Sequence, residues 1–178
     1  LLKQGLVILD TPGLNAIGAE PELTVSLIPQ AHAVVFILGA DTGVTKSDMA
    51  IWREHLVDDE ADTSTRLVVL NKIDTLWDAL STPAQIQAQI ERQKLSTAEI
   101  LGIPAQQVIP VSAQKGLVAK VTHDPELLAQ SCLSTLEDVL GRGIMDQRQK
   151  ILGSAVASGI ADLRGETGRV INIRRRDL

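Results

Sequence analysis

Four short apolar runs punctuate this chain, and each is stopped at once by a small or polar residue. Leu6-Val7-Ile8-Leu9 ends at Asp10, Ala33 to Leu38 at Gly39, Leu67-Val68-Val69-Leu70 at Asn71, and Val108-Ile109-Pro110-Val111 at Ser112. Continuous rather than alternating apolar runs are what strands buried on both faces of a parallel sheet look like, because crossover helices cover both sides. Pro110 removes a ladder donor, which makes the fourth run an edge strand or one with locally broken pairing. Helical patterns separate the runs. Thr45 with Asp48 forms a capping box ahead of Met49, Trp52 and Leu56. Thr82-Pro83-Ala84-Gln85 forms another ahead of Ile86 and Ile90, and Gly102 followed by Pro104 closes that segment. Asp124-Pro125 opens a short helix, and Leu133, Leu136, Val139 and Leu140 mark the stripe of the next. Strand and helix in alternation predict an α/β fold with right-handed crossovers.

Composition narrows what such a fold can be for. With 178 residues, 44% hydrophobic and 22% charged, the chain can bury a sizeable core, which excludes disorder. Phe36, Trp52 and Trp77 are the only aromatic residues, too few for the stacking platforms that hold single-stranded nucleic acid. Cys132 stands alone and so makes no internal disulfide, which points to a reducing compartment. No apolar run reaches the roughly 18–20 residues that span a bilayer. Charge is uneven: residues 1–142 carry 10 Lys+Arg against 18 Asp+Glu, and residues 143–178 carry 7 against 4. Arg174, Arg175 and Arg176 read as a solvated face, with a weak surface for phosphates or anionic lipid as the alternative.

Three of the runs deliver polar strings to the carboxyl ends of strands, where open α/β sheets bind ligands. In Asp10-Thr11-Pro12-Gly13 the aspartate can hold a magnesium ion through water, and the glycine brings a backbone N–H to a terminal phosphate. In Asn71-Lys72-Ile73-Asp74 the carboxylate can accept two donors from the edge of guanine, which adenine does not offer. Asn71 braces such a pocket, and the aliphatic stem of Lys72 covers a base face. In Ser112-Ala113-Gln114-Lys115 the Ala113 N–H can meet the guanine carbonyl oxygen, while Lys115 lies over the base edge or in solvent. Each string alone is an ordinary turn or strand exit. Their order, each behind its own buried strand, is what carries the signal.

In these motifs the sequence resembles a GTPase of the translation-factor-related class of P-loop proteins. Asp10-Thr11-Pro12-Gly13 resembles its DxxG motif, Asn71-Lys72-Ile73-Asp74 its NKxD motif, and Ser112-Ala113 its SA motif, over most of residues 5–142. Within the class the chain is most similar to the bacterial dynamin family. DTPGLN, the Gly43-to-Asp48 stretch before a helix, the long piece after Ser112-Ala113, and a helix leaving the domain after residue 143 favour it. The resemblance implies a mostly parallel P-loop GTPase-type sheet flanked by helices, incomplete at its N-terminus. Residues 1–142 would form the C-terminal part of a GTPase domain and 143–178 the start of a helical neck. It implies GTP/GDP and Mg2+ as ligands, and nucleotide contacts from Asp10, Gly13, Asn71, Lys72, Asp74, Ser112, Ala113 and Lys115. Asp10 would hold the magnesium. It also implies hydrolysis of GTP to GDP driving assembly or remodelling at membranes, self-assembly through the GTPase domain and stalk, and a cytoplasmic, peripheral-membrane location; no nucleic-acid partner is expected. Era-like RNA-assembly GTPases share DTPG and NKxD, and a GTPase-derived interaction module without hydrolysis is a third reading.

The phosphate cradle GxxxxGK[ST] is absent from these residues. Gly43-Val44-Thr45-Lys46-Ser47 is a near miss, because its Lys does not follow a Gly and it opens a helix after the wrong strand. The chain begins at Leu1-Leu2-Lys3 without an initiator Met, so the expectation is a fragment, with catalytic residues upstream of Leu1 and little activity of its own.

Overall fold

The computed structural model describes residues 7–11, 26–28, 31, 33–57, 66–141, 153, 156–161, 163–165 and 167. Within them three strands alternate with helices. β1 is Val34–Gly39, β2 is Arg66–Asn71 and β3 is Val108–Pro110. Helix α1 is Lys46–Ile51, running on through a π-helical turn at Trp52–Leu56. Helix α2 is Pro83–Leu101, α3 Ala113–Thr122, α4 Pro125–Ser131 and α5 Leu133–Leu140. The strands form one parallel sheet in the order β1-β2-β3, which is the α/β architecture the sequence predicts.

The helix boundaries follow local chemistry. Thr45 caps α1 with a capping box in which its hydroxyl accepts the Asp48 N–H at 3.2 Å and Asp48 Oδ2 accepts the Thr45 N–H at 2.9 Å. Thr82 and Gln85 do the same for α2, with Pro83 at the first position, where its missing N–H costs nothing. Gly102 ends α2 in the left-handed conformation at φ 69°. Asp124 Oδ1 accepts the Leu127 N–H at 2.9 Å to start α4.

Packing is strongest on one face of the sheet. Leu38, Val68, Leu70 and Val108 meet Trp52 and Leu56 from the π turn and Ile90, Ala98 and Leu101 from α2. Trp52 stacks obliquely on Phe36 at 5.4 Å between ring centroids, and its indole N–H donates to the Leu101 carbonyl at 3.1 Å. That bond satisfies the one polar atom of a buried tryptophan and ties α1 to the end of α2. β3 pairs only with β2 among the described residues, so Pro110 sits on an edge, where its lack of a donor is tolerated.

Two sequence expectations need correcting. The first apolar run is not a strand: residues 7–11 are irregular, and Val7, Ile8 and Leu9 are exposed, at 80%, 64% and 63%. A run of apolar residues becomes a strand only where a neighbour takes its N–H and C=O groups, and no described strand pairs with this one. The second correction concerns β1, whose residues alternate between half-buried or buried and exposed rather than being sealed on both faces. Ile37 stands 62% exposed beside Val69 at 2% in the same register. β2 and β3 match the doubly buried pattern, with Val68, Val69 and Leu70 buried in the one and Val108 and Ile109 in the other.

Toward the C-terminus, residues 153, 156–161, 163–165 and 167 are helical and exposed, and the start of the helix expected after residue 143 lies outside the described residues. No helix among the described residues is long and apolar enough to cross a membrane.

Candidate functional site

The carboxyl ends of β2 and β3 lie side by side and are stitched together past the last ladder pair. Val111 N–H donates to Leu70 O at 2.9 Å, and Ile73 N–H donates to Val111 O at 3.2 Å. Ile73 is fully buried and pulls the 3₁₀ turn Ile73–Leu76 down onto the core. The turn therefore leaves β2 with a fixed direction, and Asp74 with it.

Six of the residues singled out in the sequence converge here. Ser112, fully buried at the N-cap of α3, donates its hydroxyl to Asp74 Oδ1 at 2.6 Å. The Ser112 hydroxyl oxygen in turn accepts the Lys115 N–H at 3.2 Å, which is how Lys115 enters the network, through its backbone. Asn71 Oδ1 accepts two N–H groups, from Lys72 at 2.8 Å and from Ala113 at 3.1 Å, and so links the end of β2 to the first turn of α3. One side chain thus sets the position of both polar strings. Ser112 owes its own position to its N–H, which donates to the Ser131 carbonyl at 2.9 Å at the end of α4.

This geometry settles what each group has left to offer. An ionised carboxylate has roughly four acceptor positions over two oxygens, and Ser112 takes one of Asp74's. The half-buried Asp74 keeps room for two parallel donors. The Ala113 N–H, expected to meet a guanine carbonyl oxygen, already points at Asn71, so an incoming oxygen would share it in a three-centre bond.

Lys72 is the strained member. Its backbone is left-handed at φ 64°, an uncommon choice for a residue with a side chain. The Asn71 bond to its N–H, together with the Thr75 N–H and hydroxyl donating to its carbonyl at 3.0 and 2.8 Å, holds it there. Its ammonium reaches Asp41 Oδ2 at 3.1 Å, and that hydrogen bond holds the Asp41 carboxyl below the usual 3.8. Sequence reading missed Asp41. The available signal was that the second apolar run, like the others, ends in a polar string at a strand's carboxyl end. Ser131 contributes through its backbone, which no residue pattern announces.

Asp10 is exposed in irregular chain, and no hydrogen bond among the described residues joins it to the β2–β3 cluster. Gly13 lies outside the described residues. No group of three or more His, Cys, Asp or Glu gathers among the described residues as a metal site. The Gly43-to-Ser47 stretch is occupied in structural work, since Gly43 N–H closes a turn onto Gly39 O at 2.8 Å and Thr45 caps α1.

Comparison with solved structures settles the fold. A bacterial dynamin, from an oligomerised pair described as a mechanism for long-range sensing and tethering of membranes, matches with a TM-score of 0.52 at 17% identity, over 93% of this chain and 26% of that one. What the two share is the fold, a parallel sheet flanked by helices. A lower likeness, TM-score 0.42 at 20% identity over 64% of this chain and 37% of the other, is to Era in complex with MgGDPNP and a piece of 16S ribosomal RNA. Among curated sequences, a probable chloroplastic transmembrane GTPase, FZO-like, of Arabidopsis thaliana is 31% identical over 122 residues, 65% of this chain and 12% of that protein. An uncharacterized protein in the xynA 3′ region of Caldicellulosiruptor sp. (strain Rt8B.4) is 24% identical over 168 residues, 94% of this chain and 39% of that protein. The chain therefore spans well under two thirds of either relative's length. No family model matches it.

Proposed function

We propose that this chain is the guanine-recognising part of a dynamin-like GTPase, which binds GTP and hydrolyses it to GDP to drive assembly or remodelling at membranes. The observation that carries the nucleotide reading is the Asp74–Ser112 bond beside the Asn71 link to Ala113. Together they fix an acceptor pair and a backbone donor at adjoining strand ends. Guanine presents an N–H and an amino group to such a carboxylate and a carbonyl oxygen to the donor. Adenine presents a ring acceptor where guanine has its N–H, so it meets repulsion instead. Lys72 lays its stem over the base, and Lys115 helps hold Ser112 in place. On the phosphate side, Asp10 would hold Mg2+ through water and Gly13 would offer its N–H to the γ-phosphate. Bound Mg2+ supplies charge neutralisation at the phosphates.

Support for the dynamin-like choice is the likeness to the membrane-tethering bacterial dynamin and to the FZO-like GTPase, together with the helical residues after position 153. Self-assembly, a cytoplasmic setting and peripheral contact with anionic lipid belong to the same proposal.

The decisive experiment is titration of the full-length protein with fluorescent GDP. Asp74→Asn is expected to weaken GDP by about ten- to a hundredfold, the worth of a bidentate base contact. It should also improve binding of xanthosine diphosphate, whose carbonyl accepts where guanine's amino group donates. Equal affinity of the wild-type protein for GDP and ADP would overturn the reading. For the membrane part, the full-length protein should co-sediment with anionic vesicles, and recovery wholly in the supernatant would count against it.

A further inference from the structure

We infer that Asp41 is a positioning residue for the base pocket, holding the Lys72 side chain across the site from the carboxyl end of the neighbouring strand. The inference rests on the guanine-binding reading and adds to it a residue outside all three polar strings.

Both partners of the Lys72–Asp41 pair are mounted rather than tethered. Gly39 and Asn71 are opposite one another at the ends of β1 and β2. The Ala40 N–H continues the ladder by donating to Asn71 O at 2.7 Å, so Asp41 and Lys72 each lie within two residues of a fixed pair. Gln93 from α2 donates to Ala40 O at 3.3 Å and Gly43 N–H to Gly39 O at 2.8 Å, which closes the loop around Asp41. The nearby backbone N–H groups of Asp41 and Thr42 also favour the charged carboxylate. Space for it comes from Gly39, where a methyl group would run into the Asp41 carboxylate. On the other side, Lys72 has its Cα–Cβ direction set by the left-handed backbone described above.

A lysine on a solvated loop samples many rotamers, and confining its stem costs side-chain entropy. When a base must be covered by that stem, the confinement is charged against affinity unless it has been made beforehand. Here Asp41 makes it beforehand: the ammonium is anchored at 3.1 Å, and the four-carbon stem between Cα and that anchor is confined with it. Asp41 touches no nucleotide in this scheme and acts only through Lys72.

The test is a double-mutant cycle on the full-length protein, read by fluorescent GDP. Asp41→Asn, which keeps the shape and removes the charge, should raise the dissociation constant roughly two- to fivefold, the range of a partly exposed ion pair. Lys72→Met keeps a similar stem without the ammonium. In that background Asp41→Asn should change nothing further. Gly39→Ala, which displaces the carboxylate but leaves Asp41 in the sequence, should reproduce the Asp41→Asn loss, so a folding defect in one variant is caught by the other. Equal affinity of Asp41→Asn and wild type, or the same loss with and without Lys72, would overturn the inference alone. A wild-type protein that does not distinguish GDP from ADP would overturn the base-pocket reading and this inference with it.

Discussion

Ile37, Val69 and Ile109 lie in one row across the sheet, in register and on the same face, yet Val69 and Ile109 are sealed and Ile37 is open. All three are branched aliphatic residues in apolar runs, so composition does not account for the difference. Cover does. The β2–β3 side of the sheet is closed on both faces, and the residues proposed to hold the base stand at its end, bonded to one another through Asn71, Ser112 and the α4 terminus. The β1 side is covered on one face only, and Val7, Ile8, Leu9 and Asp10 are exposed as well. A pocket that discriminates between bases by hydrogen-bond direction needs groups that do not wander, and the proposed one is on the sealed side.

The comparison can be broken by substitution. Val69→Ala should destabilise the protein by about 2 kcal/mol, from lost transfer free energy and a small cavity. Ile37→Ala, its neighbour in the row, should cost at most about 0.5 kcal/mol, as exposed positions do. Urea unfolding of the two variants measures both. Equal losses would mean that Ile37 is covered in the intact protein and that the difference between the two sides disappears there. The expected effect of Asp74→Asn on GDP affinity, about 1.4–2.7 kcal/mol, is comparable to that of Val69→Ala on stability, and that of Asp41→Asn is comparable to the weaker one.

A smaller effect sharpens the same contrast at the loop that joins the two sides. The Lys72 hydrogen bond lowers the Asp41 carboxyl below 3.8. A group whose folded value is depressed contributes fully above its ordinary value and loses that contribution as the pH falls through the folded one. The Lys72 link is therefore complete at neutral pH and fails only in acid. Carbon NMR of the Asp41 carboxyl should give a midpoint below 3.8 in the wild type, moving upward in Lys72→Met; a midpoint unmoved by that substitution would mean the ammonium does not govern it.

Much of this was legible beforehand, for reasons that differ by residue. Thr45, Thr82 and Asp124 could be read as caps because capping is decided within four residues of chain. Pro110 could be assigned to an edge or a break in pairing because its missing donor is a covalent fact. Asn71, Asp74 and Ser112 could be grouped because parallel strands deliver their ends to one side of a sheet. The first apolar run and the open face of β1 were misread because burial is a property of neighbours, which four aliphatic residues do not name. Asp41 was missed for a similar reason: its partner is 31 residues away in sequence, and only strand register brings them together.

The left-handed backbone at Lys72 has a consequence for anyone who would engineer this protein. A substitution chosen for stability alone would put glycine at 72, where φ 64° suits it and a side chain pays about 1–2 kcal/mol. That same change deletes the stem proposed to cover the base and the charge that Asp41 holds. Thermal stability and nucleotide affinity would then move in opposite directions at a single position, and screens for heat resistance would select against binding there.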